Sequence, residues 1–232
     1  MIRYIRYLII LPMCGFRPRF FWFCVNYIWP FGQDHVIQLR MSEIERNDAK
    51  PDSFRLQKTV VMVGMMGAGK TAVGRALAVR LGVPFLDSDA EIEAAANMSI
   101  PEIFTRDGEQ FFRDKETKVI RRLLREERCI LSTGGGAFLA QGNREMISRR
   151  GASVWLKADI DVLWDRVRHK DTRPLLRTDD PRATLGALYQ ARVPFYAKAD
   201  LAVVSDGIAS IDQMVDRVLA ALTTRPDVLV KE

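Results

Sequence analysis

The 232-residue sequence has few of the residues that a zinc-bound or membrane-spanning fold requires. It contains only three cysteines and two histidines, and Cys14 and Cys24 lack the further ligands of a zinc pattern. The apolar runs at 2–13 and 20–29 are too short to cross a bilayer, and no internal repeat is visible. The third cysteine, Cys129, stands in an apolar run and is interpreted as a small core residue.

The net positive charge is also small outside the first forty residues. The net charge is +6, and residues 1–40, with five arginines and one aspartate, supply +4 of it. The rest of the chain has the charge balance of an ordinary soluble domain, so we predict no nucleic-acid partner.

Residues 1–40 differ from the rest of the sequence and contain ten of its 21 aromatic residues. Their basic start and apolar middle are typical of a secretory signal, although the cleavage site is poor. Arginine, tryptophan and tyrosine among apolar residues would also suit a membrane-surface anchor. We favour a third interpretation, in which 1–40 is not part of the folded protein and Met41 is the true start. We then predict a linker at 41–58, a folded domain at 59–223 and a tail at 224–232, with no membrane contact for 41–232.

The rest of the sequence is organised around GMMGAGKT at 64–71, which fits the phosphate-binding pattern GxxxxGK[S/T]. An apolar run at 59–63 precedes it and a helical pattern at 72–81 follows it, which is the context that the pattern requires. The glycines let successive backbone N–H groups point inward, and the positive end of the helix dipole points to the same place. Lys70 adds a charge for the β- and γ-phosphates, and the Thr71 hydroxyl is a ligand for Mg²⁺.

Two further motifs end predicted strands. The sequence DSD (87–89) follows a strand predicted at 83–86, and GGG (134–136) follows one at 129–133. In open α/β sheets ligands collect at the carboxyl ends of the strands. One carboxylate of the DSD motif could therefore hold a metal through water while the other faces a phosphoryl acceptor. Helix capping is an equal alternative, because a helix is predicted at 90–96 and aspartate starts helices well.

The remaining pattern completes an α/β fold with a basic loop. Further strands are predicted at 152–157 and 199–204, and helices at 181–193 and 208–222, the last with Ile211, Met214, Val218 and Leu222 on one face. One loop contains Arg166, Arg168, His169, Lys170 and Arg173, which predicts a lid that closes over phosphates. His169 is interpreted as a solvated loop residue.

Together these motifs resemble the shikimate kinases, a family with the nucleoside monophosphate kinase-like P-loop fold. The motifs occur in family order within 59–223: GMMGAGKT (64–71), DSD (87–89), DGEQFFR (107–113), GGGA (134–137), RPLL (173–176) and RVPFY (192–196). The resemblance implies a three-layer α/β fold with a five-stranded parallel sheet in the order 2-3-1-4-5, flanked by helices, with a lid. It implies phosphorylation of the 3-hydroxyl of shikimate by ATP, a step of chorismate and aromatic amino-acid biosynthesis.

On the nucleotide side, the resemblance implies that the loop residues Gly67, Ala68, Gly69, Lys70, Thr71 and Ala72 wrap the phosphates. Lys70 would steady the transferring group, and Thr71 would bind Mg²⁺ with Asp87 held behind a water molecule. Arg173 would be the catalytic lid arginine and would reach the phosphates, whereas Arg166 or Arg168 would stack on adenine.

On the acceptor side, the resemblance implies that Asp89 hydrogen-bonds the acceptor hydroxyl and is the candidate base. Arg113 and Arg192 would bind the shikimate carboxylate beside the Gly135 backbone, since guanidinium groups match carboxylates bidentately. We expect a cytoplasmic monomer. Two alternatives stay open: a related small-metabolite kinase such as a gluconate kinase, and a nucleotide-binding module without catalysis.

Overall fold

The computed structural model of the chain describes residues 54–126, 128–169 and 174–232. The predicted extension at 1–40, most of the predicted linker and the lid arginine Arg173 lie outside the described residues. The strands are β1 (Phe54–Leu56), β2 (Thr59–Val63), β3 (Phe85–Asp87), β4 (Ile130–Ser132), β5 (Gly151–Lys157), β6 (Leu201–Val204) and β7 (Leu229–Lys231). The helices are α1 (Lys70–Leu81), α2 (Ser88–Ala96), α3 (Ile100–Glu126), α4 (Gln141–Arg150), α5 (Ile160–Val167), α6 (Pro181–Tyr196) and α7 (Ile211–Thr223).

Five strands form a parallel sheet in the spatial order β3-β4-β2-β5-β6. Counted in chain order within this sheet, the order is 2-3-1-4-5, which confirms the predicted fold. All five residues of the central strand β2 are buried, as expected for a parallel strand covered on both faces. Because all five strands are parallel, their carboxyl ends lie along one edge, where the glycine loop and the two other predicted motifs emerge.

The helices begin and end where local chemistry favours it. Gly82 ends α1 in the left-handed conformation with φ 63°, as predicted for a C-terminal glycine. Ser99 and Glu102 form reciprocal hydrogen bonds at the start of α3. Gly108 (φ 84°) interrupts α3, so the segment with the DGEQFFR motif has a helical direction of its own. Asp159 occupies the N-cap position of α5, but its side chain makes no capping hydrogen bond.

Parts of the predicted linker (41–58) and of the predicted tail (224–232) form strands, β1 and β7, which corrects the expectation for these two segments. Strand β1 pairs with β7 in an antiparallel ribbon, with Leu56 opposite Leu229. Leu56 is 5% exposed and Leu229 2% exposed, and Lys58 pairs with Asp227 at 2.8 Å. Three-residue strands with charged neighbours produce almost no periodic signal, and the pairing partner lies about 170 residues away, so the local pattern could not reveal it.

Three details of the helices also differ from the predictions. Helix α4 was not predicted, because its sequence is mostly polar and only Met146 and Ile147 supply large buried apolar side chains. Helix α6 continues through Pro194 to Tyr196, since a proline in the last turn removes little of the hydrogen-bond ladder. Ile211 was predicted on one face of α7 with Met214, Val218 and Leu222. Those three are buried, whereas Ile211 is 50% exposed and lines a cavity at the site described below.

No helix within residues 54–126, 128–169 or 174–232 is both long enough and apolar enough to span a bilayer.

The ribbon predicts a measurable contribution of the chain ends to stability. Leu229→Ala should lower the free energy of unfolding by about 2 kcal/mol or more, because it removes a buried side chain from the packed core. Ile208→Ala is the matched control, because Ile208 is 91% exposed and should change stability by less than about 0.5 kcal/mol. Equal effects of the two substitutions in urea unfolding would show that the ribbon does not stabilise the domain.

Candidate active site

The loop between β2 and α1 has the backbone geometry of a phosphate cradle. Gly64, Gly67 and Gly69 have φ angles of 137°, 82° and 95°, a region that other residues rarely occupy. Gly67 is also constrained by packing, because a methyl group there would lie 2.8 Å from Cγ1 of Val167. Gly69 is the N-cap of α1, and no side chain caps this helix end. The first N–H groups of α1 are therefore left for an anion.

Lys70 and Thr71 stand at the amino end of α1, on the wall of a cavity of about 480 Å³. The Lys70 ammonium group donates to the carbonyl oxygens of Gly64 at 2.9 Å and Met65 at 3.1 Å. This bends the side chain back over the loop that it is predicted to serve. Thr71 is exposed in this cavity, and Asp87 lines the same wall.

The two aspartates of the DSD motif have different local roles. Asp87 is the N-cap of α2, and its Oδ1 accepts a hydrogen bond from the Asp89 backbone N–H at 3.0 Å. The Asp89 side chain is left for another partner, and its Oδ1 is buried without a hydrogen bond from the described residues. Thus capping by one residue and an open carboxylate on the other occur together, as the sequence allowed.

The three glycines after β4 form the wall against which three functional side chains pack. A methyl group on Gly134 would lie 2.7 Å from Oδ1 of Asp89, and one on Gly136 would lie 2.5 Å from Nη1 of Arg113. One on Gly135 would lie 3.2 Å from the Nη1 atom of the Arg192 side chain. A side chain at Gly134 or Gly136 would therefore displace the Asp89 carboxylate or the Arg113 guanidinium group, and one at Gly135 would press more lightly on Arg192.

A second, smaller cavity of about 180 Å³ lies beyond this wall, lined by Asp89, Arg113, Glu116, Arg192 and the three glycines among others. Asp89, Gly134 and Gly135 line both cavities. The two spaces therefore meet at the Asp89 carboxylate. This places Arg113 and Arg192 in one cleft with Lys70, as the predicted site required.

Glu116 positions Arg113 and was not identified from the sequence. Arg113 donates to Glu116 at 2.9 Å and to Glu109 at 3.0 Å, and the Glu116 side chain is only 1% exposed. The other oxygen of Glu116 is buried without a hydrogen bond from the described residues. The signal was the three-residue spacing of Arg113 and Glu116 on one helix, which places the two side chains together.

Tyr196 supports the second arginine in a similar way. It is fully buried, donates its hydroxyl to the Gly135 carbonyl oxygen at 2.6 Å, and is hydrogen-bonded to Arg192. Burial raises the Tyr196 pKa to about 12, against the opposing charge of Arg192, so the hydroxyl keeps its proton and donates it. The four-residue spacing from Arg192 to Tyr196 within α6 could have indicated this role.

Of the two arginines predicted to stack on adenine, Arg166 lies at the larger cavity and Arg168 lies on the surface. Arg166 lines the cavity, and its Nη1 donates to the Gly67 carbonyl oxygen at 3.3 Å and to the Ser205 hydroxyl at 3.2 Å. Arg168 is instead paired with Asp165 at 3.6 Å on the surface. Ser205 and Ile211 line the same cavity, and neither was predicted as a site residue.

Two carboxyl groups of the site, those of Asp89 and Glu116, have raised pKa values. Burial raises the Asp89 pKa, and the charge of Asp87 adds to the increase while Lys70 opposes it. Burial also raises the pKa of the Glu116 carboxyl, by more than its ion pair with Arg113 lowers it. Asp89 is partly buried, and a raised pKa on such a carboxylate in a cleft is common among general bases.

A cradle for phosphates, a carboxylate beside it and a small cavity with two arginines define a P-loop phosphotransferase that acts on a small acidic acceptor. The comparisons with known proteins identify the family. The model of the shikimate kinase family matches residues 66–223. The chain therefore belongs to the shikimate kinase family.

Individual relatives agree with this assignment. A shikimate kinase from Ruegeria pomeroyi is 75% identical over 192 residues, which are 82% of this chain and 98% of the relative. One from Cereibacter sphaeroides is 68% identical, over 79% of this chain and 92% of the relative. Among solved structures, a shikimate kinase from Acinetobacter baumannii in complex with shikimate has a TM-score of 0.68 at 36% identity, covering 72% of this chain and 93% of that chain.

The raised pKa of Asp89 predicts that replacing this residue by asparagine stabilises the folded protein at neutral pH. Folding raises the pKa of Asp89 above its ordinary value of 3.8. Above the raised pKa the ionised carboxylate lowers the free energy of unfolding, and below pH 3.8 this loss of stability disappears because Asp89 is protonated in both the folded and the unfolded chain. Asp89→Asn should therefore raise Tm at pH 7, and the difference should vanish as the pH falls below that value.

Asp206 is the matched control with the opposite sign. Its pKa is lowered to about 2, first by the hydrogen bond from the Ala209 N–H and then by Arg217. Asp206→Asn should lower Tm at pH 7, with the loss shrinking as the pH falls from about 4 towards 2. Thermal unfolding across this pH range tests both signs, and a lower Tm for Asp89→Asn at pH 7 would contradict the account of Asp89.

Proposed function

We propose that this chain transfers the γ-phosphoryl group of ATP to the 3-hydroxyl of shikimate, giving shikimate 3-phosphate and ADP. The observation that carries the proposal is the shared boundary of the two cavities at Asp89. A nucleotide in the larger cavity and an acid in the smaller one would place donor and acceptor on either side of that carboxylate. Such positioning supplies much of the catalysis in phosphoryl transfer.

On the acceptor side, Asp89 hydrogen-bonds the 3-hydroxyl and accepts its proton as the oxygen attacks phosphorus. Its raised pKa favours proton acceptance at this step. Arg113 and Arg192 bind the shikimate carboxylate beside the Gly135 backbone. Glu116 and Tyr196 hold these two arginines in position, so that less freedom is lost when the acid binds.

On the nucleotide side, the backbone of the loop and the amino end of α1 receive the phosphates, from Gly67 to Ala72. Lys70 leaves the carbonyl groups of Gly64 and Met65 and neutralises the charge that develops on the γ-phosphate. Arg166 lies beside adenine, between the loop and Ser205. Arg173 keeps the role that the family resemblance implies, in a lid that closes on the phosphates and excludes water.

The oxygen donors on the cavity wall fit Mg²⁺, which prefers oxygen ligands. Thr71 offers a hydroxyl at the phosphate cradle. Asp87 lines the same cavity, where its carboxylate would hold the ion through water. When bound, Mg²⁺ would supply positive charge that offsets the negative charge of the phosphate groups.

The protein is further proposed to act as a monomer in the cytoplasm, where ATP is available. The cradle residues and the two acid-binding arginines line two adjoining cavities, which supports a site that is complete within one copy. A mass of two chains in light scattering would contradict the monomer.

A coupled assay of ADP release, with shikimate and with gluconate as acceptor, tests the proposed activity. Shikimate alone should support turnover, since gluconate lacks the rigid ring that presents both a carboxylate and a hydroxyl to this cleft. Turnover with gluconate only would favour the related sugar-acid kinase. Nucleotide binding without turnover on either acid would favour a non-catalytic module.

Asp89→Asn should reduce turnover with shikimate by about 100-fold or more, because removal of a general base typically has an effect of this size. Binding of ATP, measured by calorimetry, should stay within about twofold, since the phosphate cradle is built by other residues. Wild-type turnover in this variant would remove Asp89 from the mechanism.

Gly136→Ala should raise KM for shikimate about tenfold or more and leave KM for ATP unchanged. Gly136 has φ −85°, so alanine fits the backbone, and the three atoms nearest to the added methyl group all belong to the Arg113 guanidinium group. Gly142→Ala is the matched control, because no heavy atom lies within 4 Å of its added methyl group. An unchanged KM for shikimate in Gly136→Ala would show that Arg113 does not bind the acid in this position.

A further inference from the structure

A groove of about 550 Å³ lies between α3 and α4, away from the candidate active site. Four arginines line it: Arg121 and Arg125 from α3, and Arg149 and Arg150 from α4. Both helices lead into strands of the parallel sheet, α3 into β4 and α4 into β5. Their carboxyl ends therefore lie at the edge opposite the phosphate cradle. Along α3, Arg125 is roughly 14 Å beyond Glu116 at 1.5 Å per residue.

The arginines of this groove differ from most other arginines of the described surface. Arg122, on the neighbouring face of α3, is paired with Glu91 at 2.7 Å, and Arg182 and Arg80 likewise have aspartate partners. Within the described residues, none of the four groove arginines forms an ion pair. Arg149 donates only to the backbone carbonyl oxygen of Glu145, at 3.2 Å.

Opposing charges in the groove are too few to neutralise it. Glu145 is the only carboxylate among the residues that line it, and its Oε1 accepts from Gln141 at 2.8 Å. The carboxyl ends of α3 and α4 each add about half a negative charge. Four guanidinium groups against one carboxylate and two helix ends leave an excess of about two positive charges. Compensation of the helix dipoles explains arginines in the last turns, but it does not explain Arg121, which lies more than a turn earlier.

We propose that this groove binds a small molecule that carries two or more phosphate groups. Guanidinium groups bind phosphate oxygens bidentately, and Arg121 and Arg125 are four residues apart, so their side chains stack along one face of α3. One exposed ion pair is weak, so affinity requires several phosphates that engage both helices at once. The volume suits a small ligand, and no aromatic side chain lines the groove to stack on the bases of a single strand.

Calorimetry with tripolyphosphate on the full chain tests the site. The binding measurements use a Lys70→Ala background to weaken the phosphate cradle, because ADP added to fill the cradle would itself carry two phosphate groups to the groove, whereas the turnover measurements keep Lys70. Saturable binding of one tripolyphosphate per chain is expected. The double variant Arg121→Gln/Arg125→Gln should weaken it at least tenfold. The matched control Arg80→Gln/Arg182→Gln removes the same net charge from exposed arginines elsewhere and should change the affinity less than twofold. Shikimate turnover should be unchanged in both double variants, which also verifies that they fold.

Three outcomes would overturn the proposal. One is the absence of saturable binding when the groove is intact, and another is equal weakening in both double variants, which would reveal only an effect of net charge. The third is tighter, Arg121-dependent binding of a short RNA or of anionic lipid vesicles, which would make the groove a macromolecular surface. Arg121→Lys/Arg125→Lys provides a further check, because it keeps the charge but loses the bidentate geometry and should still weaken tripolyphosphate binding severalfold.

Discussion

The site depends on one steric constraint, the contact of bare backbone at 134–136 with side chains from three separate helices. Asp89 comes from α2, Arg113 from α3 and Arg192 from α6, and each lies where a methyl group on one of the glycines would contact it. The glycine backbone thus sets the spacing between the Asp89 carboxylate and the two arginines. The same backbone offers the Gly135 carbonyl to Tyr196, which ties α6 to the turn after β4. A change at this turn would alter the geometry of all three groups.

Buried charge is the second property that separates the site from the rest of the domain. Asp89 and Glu116 each have a buried oxygen without a hydrogen bond from the described residues, and burial raises both pKa values. Such groups reduce stability unless a ligand or a neighbouring charge compensates them. Arg113 compensates Glu116 in part, whereas no described residue donates a hydrogen bond to the buried Oδ1 of Asp89. The surface carboxylates Asp206 and Asp227, which have lowered pKa values, show the reverse arrangement.

Much of the fold was predictable because strong local signals and family motifs agreed. One continuous segment contains the buried strand at 59–63, the glycine loop and the helix after it. The structure confirms the predicted sheet order. Features that depend on contacts between distant segments were not predictable. The β1–β7 ribbon pairs segments about 170 residues apart, and the polar helix α4 lacks an apolar period. The supporting roles of Glu116 and Tyr196 could have been inferred from helical spacing, but Ser205 has no local signal and reaches the site only through the sheet.

The ribbon has a consequence for how the polypeptide can be rearranged. Phe54 and Lys231 are register partners across β1 and β7, so the two ends of the described domain are separated by about one interstrand distance of 5 Å. Neighbouring termini of this kind favour circular permutation. A short glycine-rich tether could join 232 to 54, with new ends opened in an exposed loop at the opposite edge of the sheet, such as the one around Gly82 between α1 and β3. The order of segments along the gene could then change while the sheet and its ligand-facing edge keep their geometry.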